Sequence, residues 1–229
     1  HEKGLPQCNL HSRNLARPQK WRRRFLDSFG TIGGYSMKKL ISGVILESIA
    51  VKSALLDDVE LLSQIESLAI TCLNSLRSGG KIIFAGNGGS FADGQHLSAE
   101  FTSRFLFDRA PMASLVLGAN NSAISAIGND YGFEQVFARE LTGVAKAQDV
   151  FIPISTSGTS PNILTAVEQA KLLGLVPIAL TGLGGGKLAD LCDCICVPSS
   201  ETARIQECHI LIGHIICELV EYHYFRDTK

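Results

Sequence analysis

Five short apolar runs punctuate this chain, and amphipathic stretches separate them. Ile82 to Ala85, Ala113 to Leu117, Val150 to Ile154, Val176 to Leu180 and Cys194 to Val197 read as buried strands. Apolar residues at helical spacing fill the intervals. They cover Ile41 to Ala54, Val59 to Leu76, a helix from about Phe91, Asn121 to Ala126, Phe133 to Val144 and Pro161 to Leu173. A long last helix runs over roughly Glu201 to Tyr224. Strands alternating with helices predict an α/β fold, a three-layer αβα sandwich around a mainly parallel five-stranded sheet. The punctuation agrees. Asp57 and Asp58 are linker and N-cap candidates, Gly79-Gly80 and Gly174 are helix stops, and Ser160-Pro161 sets a capping Ser before Pro at the first helical position. Two helices ahead of the first strand cannot bury both faces on one small sheet. That surplus apolar surface predicts packing against another subunit.

Composition narrows the function. The chain has 229 residues, enough for one domain with a substantial core. Its net charge of -1 hides a basic first segment, with Arg13, Arg17, Lys20, Arg22, Arg23 and Arg24, against an acidic remainder. An acidic body argues against nucleic acid as the main ligand. The 7 cysteines are odd in number and show no zinc-knuckle spacing, which predicts reduced cytosolic thiols. Cys192, Cys194 and Cys196 alternate on one strand face and lack a fourth metal ligand nearby, so they are expected to be buried small residues. No apolar run is long enough to cross a bilayer. Residues 1–36 do not look like the fold. Arg22-Arg23-Arg24-Phe25-Leu26 resembles a twin-arginine signal, but no apolar h-region follows, and Met37 reads as a natural start. The segment is expected to be an upstream extension or non-native leader, disordered or peripheral, dispensable for activity. Residues 37–229 are expected to form a single domain.

Three stretches carry chemistry. Gly86-Asn87-Gly88-Gly89-Ser90 follows the first strand and precedes a helix, the usual way an α/β protein offers backbone N–H groups to a phosphate. Phe91 stands where a dinucleotide fingerprint needs glycine, and no P-loop Lys follows, which leaves a smaller phosphate or sugar. Ser155-Thr156-Ser157-Gly158-Thr159-Ser160 places five hydroxyls at a helix start, a neutral anion cradle whose positive potential comes from backbone and helix dipole. Third, His96 and Glu100 lie one turn apart on one helix, and Gln206 and His214 share a stripe of the last. Each pair alone is more often a surface contact or a satisfied core histidine. Together they could form a mixed N/O metal site with room for a substrate oxygen. His209 and His223 are competing ligands, expected to be structural.

From Met37 onward the chain resembles the phosphoheptose (sedoheptulose 7-phosphate) isomerases of the sugar-isomerase (SIS) domain superfamily. The matching pieces are Ala-Gly-Asn-Gly-Gly-Ser at 85–90, Gln-His-Leu-Ser-Ala-Glu-Phe at 95–101 and Gly-Asn-Asp-Tyr-Gly-Phe at 128–133. Ser-Thr-Ser-Gly-Thr-Ser at 155–160, Leu-Thr-Gly at 180–182 and Arg-Ile-Gln-Glu-Cys-His at 204–209 complete the set. The resemblance implies a cytoplasmic homotetramer with sites at subunit interfaces. It implies one zinc per subunit on His96, Glu100, Gln206 and His214, with Glu100 as base and His214 as its acid/base partner. It implies substrate binding by Asn87, Gly88, Gly89, Ser90, Arg104, Asn129, Asp130, Ser155, Thr156, Ser157, Ser160 and Gln206. Among these, Ser90, Ser155, Thr156, Ser157 and Ser160 hold phosphate, and Asn87, Arg104 and Asp130 contact the sugar. Some members carry Asp where this chain has Ala203, which puts one sugar contact in doubt.

Two rivals share the resemblance. One is a non-enzymatic tetrameric partner of the bacterial replication initiator DnaA, a branch that lacks the Glu and the second His. Glu100 and His214 are both present here. The other is a sugar-phosphate-sensing domain, which normally accompanies a DNA-binding module that residues 1–36 are too short to form.

Overall fold

A computed structural model describes residues 37–226; the reading of residues 1–36 as an extension lies outside the described residues. From Gly43 onward the described chain packs as one compact unit. Two helices come first, α1 (Met37–Leu56) and α2 (Val59–Arg77), followed by β1 (Ile82–Gly86), α3 (Gly89–Thr102), β2 (Ser114–Val116) and α4 (Asn121–Tyr131). A single 3₁₀ turn (Phe133–Gln135) leads into α5 (Val136–Val144) and β3 (Val150–Ser155). Then come α6 (Pro161–Leu172), β4 (Val176–Thr181), a 3₁₀ turn (Gly186–Asp190), β5 (Asp193–Cys196) and α7 (Thr202–Arg226).

The five strands form one sheet in the order β2-β1-β3-β4-β5, and every pairing is parallel. The three-layer sandwich follows from strand alternation. Ile82 and Phe84 of β1 point into a core shared with Leu68, Phe101, Ile212 and Val220. Ile83 and Ala85 point into the opposite core, with Val136, Leu141, Ile163 and Val167. Each strand of the sheet centre is therefore apolar throughout rather than alternating. Pro153 sits inside β3, where prolines are rare. The β3–β4 ladder is formed at Val150, Phe151, Ile154 and Ser155 and lapses between them, where Pro153 has no N–H to give.

The capping signals operate largely as expected. Asp58 accepts from Leu61 N at 3.0 Å, and Gly79 and Gly174 have left-handed φ of 81° and 78°. Three expectations are corrected. Ser160 occupies the N-cap of α6 but makes no side-chain cap; its Oγ lies 3.3 Å from Ser155 Oγ instead. The helix expected from Phe91 begins at Gly89, so Ser90 belongs to its first turn rather than to the preceding loop. Cys192, Cys194 and Cys196 are partly rather than fully buried, because β5 is an edge strand and its cysteine face is only partly covered.

Candidate functional site

The register of the sheet decides where a ligand can sit. Strand β1 has β2 on one side and β3 on the other, so the chain reverses its order of winding between β1 and β3, and ligands of open α/β sheets bind outside the carboxyl ends of strands at such a point. Gly86 pairs with Ile154, so β1 and β3 end level with one another. The two loops predicted to bind phosphate therefore emerge side by side. Asn87 and Asn162 tie them together with reciprocal amide hydrogen bonds, both 2.9 Å long.

Both loops feed helix N-termini without side-chain caps: Gly88 at α3 and Ser160 at α6. The first-turn N–H groups and positive dipole ends converge on the same edge of the sheet. Ser90 and Ser155 are buried there, 4% exposed each. The Ser157–Gly158 turn is braced from behind. A Cβ on Gly158 would lie 1.9 Å from Gly185 O, and Leu188 N donates to Gly158 O at 3.0 Å. Only glycine fits, and the loop keeps one shape.

Helices α3 and α7 bring the titratable groups together. A Cβ on Gly213 would lie 2.4 Å from Leu97 Cδ1, so the helices touch where a side chain is missing. The next residue on α7 is His214, and the one before Leu97 on α3 is His96. Their Nε2 atoms are 2.9 Å apart, and His96 Nε2 lies 3.3 Å from Glu100 Oε1. Donor atoms of His96, Glu100 and His214 all fall within 4.8 Å of one another. Two imidazole nitrogens around one tetrahedral zinc stand ~3.3 Å apart, so this N/N/O set fits a borderline divalent cation. The Phe105 ring lies 5.6 Å from that of His214 and walls one side.

The remaining candidates are distributed unevenly. Gln206 packs over the first turn of α3, its Nε2 2.5 Å from where a Gly89 Cβ would be. Thr156 accepts from Gly182 N through its carbonyl, and Ser157 Oγ accepts from Thr159. Arg104 is exposed in the turn after α3. Asn129 and Asp130 sit at the end of α4, bonded to each other at 2.8 Å and outside the His–Glu–His group. His209 is fully buried and bonded through Nε2 to Thr181 O at 3.1 Å; burial pushes its imidazole down to about 4.

Sequence reasoning missed Asp93. Its Oδ2 is buried without a hydrogen-bond partner; burial raises its carboxyl, and nearby His96 offsets part of that rise. A place one turn ahead of His96 was the available signal. An unpartnered buried oxygen beside a histidine suits the outer shell of a metal site.

The SIS domain family matches residues 49–182. Phosphoheptose isomerase of Aneurinibacillus thermoaerophilus is 53% identical over 83% of this chain and 97% of its own length. Among solved structures, phosphoheptose isomerase GmhA from Neisseria gonorrhoeae is 39% identical, with a TM-score of 0.74 over 81% of this chain and 99% of its own. A phosphoheptose isomerase from Francisella tularensis is 33% identical, with a TM-score of 0.77 over 82% and 99%. On residues, fold and relatives together, the chain belongs to the phosphoheptose isomerase family of SIS-domain proteins.

Proposed function

We propose that this protein is an isomerase that converts sedoheptulose 7-phosphate to D-glycero-D-manno-heptose 7-phosphate, the first step toward activated heptose for lipopolysaccharide or capsule. The observation that carries the reading is the convergence of His96, Glu100 and His214, with His96 and Glu100 about two and three turns along α3 from its uncapped N-terminus. A carboxylate and imidazoles next to a phosphate cradle are what a ketose–aldose isomerase of a phosphorylated sugar needs.

The phosphate binds at the first turns of α3 and α6, against Ser90, Ser155, Thr156, Ser157 and Ser160. Asn87, Gly88, Gly89 and Gln206 position the chain of hydroxyls that follows. Glu100 takes the proton from C1 of the ketose, giving an enediol, and returns it at C2. His214 carries a proton from the C1 hydroxyl to the C2 oxygen, so the reaction is redox-neutral overall. A zinc ion held by His96, Glu100, Gln206 and His214 would polarise the carbonyl and hydroxyl oxygens during this exchange. The exposed apolar residues Ile45, Leu46 and Ile49 of α1 support a homotetrameric assembly, and the enzyme is read as cytoplasmic, with Arg104, Asn129 and Asp130 binding substrate at sites completed by a neighbouring subunit. Residues 37–229 make its one domain, and residues 1–36 are a dispensable extension.

Incubating the purified protein with sedoheptulose 7-phosphate, with and without chelator, tests the reading. Aldose forms, chelation stops it, zinc restores it, and Glu100→Gln loses about 10³-fold in turnover. Normal turnover by Glu100→Gln removes the assigned base. No aldose under any condition removes the function.

A further inference from the structure

A buried ion pair lies just behind the site. The side chains of Arg109 and Glu221 are 2% and 0% exposed, with Arg109 Nε 2.8 Å from Glu221 Oε1. Burying two charges gains little by itself; hydrophobic replacements of such pairs are often as stable or more so. Its use lies in what else the two groups bind. Arg109 donates to the carbonyls at the end of α3, reaching Glu100 O and Phe101 O at 2.7 Å each and Ser103 O at 3.0 Å. Glu100 O and Phe101 O belong to the last turn of α3, whose carbonyls have no intrahelical partner and where a cation is favoured; Phe101 O also accepts from Met112 N at 3.0 Å. Glu221 accepts from Phe105 N at 2.8 Å and Leu106 N at 2.7 Å. Burial acts to raise the Glu221 carboxyl, but the Leu106 and Phe105 N–H groups and Arg109 outweigh it and hold it below its ordinary value.

Glu221 lies seven residues, two helical turns, beyond His214 on α7, so both face α3. One end of the pair grips the backbone of Glu100; the other fixes the backbone of Phe105, whose ring rests on His214. We infer that Arg109 and Glu221 are positioning residues, a clasp that sets Glu100 and Phe105 against His214. The inference rests on the proposed acid/base roles of Glu100 and His214. It explains why a buried charge pair occupies a place that apolar side chains could fill: a planar five-donor group facing a carboxylate reaches four carbonyls and two amides at once.

Arg109→Lys and Glu221→Gln test it, with Val220→Ala as a control for ordinary loss of packing on the same helix. Three readouts are taken: amide hydrogen exchange over residues 100–106, zinc affinity by competition with a chromophoric chelator, and kcat with KM. The clasp variants exchange about tenfold faster in that segment alone. They lose about tenfold in zinc affinity and about 100-fold in kcat, with KM nearly unchanged. Val220→Ala, at a comparable loss of Tm, moves none of these. Clasp variants that match Val220→Ala in exchange and kcat overturn the inference. Should neither clasp variant fold, Phe105→Leu decides: a fall in kcat upholds the clasp, and normal kcat overturns it. A wild type without isomerase activity sinks the proposed function, while the exchange and zinc data still judge the clasp.

Discussion

His209 illustrates how one residue's environment becomes a property of the whole stability curve. Its imidazole is sealed in the core, its Nε2 donates to Thr181 O and its Nδ1 has no partner, so the neutral form is the one the fold accepts. Burial lowers the group from 6.5 to about 4. Above pH 6.5 neither state is protonated and the residue has no pH effect. Between 6.5 and 4 the unfolded chain binds a proton that the folded chain refuses, so stability falls as pH falls, by ~3 kcal/mol across the window. Urea titrations of wild type against His209→Gln check this. The variant is less stable at pH 7 but its stability changes less from 6.5 to 4; parallel curves would exclude the assignment. Residues like this were only half legible in sequence. His96 and Glu100 announced themselves by helical spacing, and His209 could be ranked as core by its apolar neighbours. Asp93 offered only its place one turn ahead of His96, and Arg109 offered nothing, because what marks them is a buried unpartnered oxygen and a bond to a carbonyl nine residues away.

At the scale of elements, the site depends on how near α3 and α7 come. Gly213→Ala adds a methyl into Leu97, which is 1% exposed and has little room to retreat. Overpacking of this kind costs ~1–3 kcal/mol, while Ala in place of a helical Gly returns ~1 kcal/mol of propensity. The clash prevails, so the expected outcome is a net loss of ~1 kcal/mol with His96 and His214 moved apart. Calorimetry and zinc titration check it: Tm drops by a few degrees and zinc binds more weakly. An unchanged Tm with undiminished zinc affinity would mean that the close approach is not needed. The strands and helices themselves were readable from apolar runs and 3.6-residue spacing, because a doubly covered parallel sheet writes unbroken hydrophobic strands. The contact of α3 with α7 was not readable. It joins segments more than a hundred residues apart through a glycine whose only signature is a missing side chain.

For the whole molecule, the orientation of α1 is the feature that remains to be satisfied. Its polar side faces the body: Arg204 donates to Val44 O at 2.8 Å, Ser48 donates to Glu207 Oε2 at 2.7 Å, and Lys52 lies 3.7 Å from the same carboxylate oxygen. Its apolar residues Val44, Ile45, Leu46 and Ile49 are exposed, Ile45 and Ile49 by 53% and 52%. A surface helix with its hydrophobic side turned outward is the reverse of the usual arrangement, and the homo-oligomer proposed above would cover it with the same surface of a second copy in an isologous pair. Each of these four side chains is already about half covered, so completing its burial is worth about half of the ~1.5–3 kcal/mol of full burial; counted twice in a two-fold pair, the four contribute ~6–12 kcal/mol, comparable to an association cost of ~4–15 kcal/mol. Ile45→Glu with Ile49→Glu places four carboxylates in that pairing. Light scattering is expected to find the double variant as a smaller species than wild type, with circular dichroism retained because the body of each subunit does not depend on those side chains. Turnover is expected to fall with assembly if, as proposed, a neighbouring subunit completes the site. A double variant that keeps both its size and its activity would place the subunit contact elsewhere.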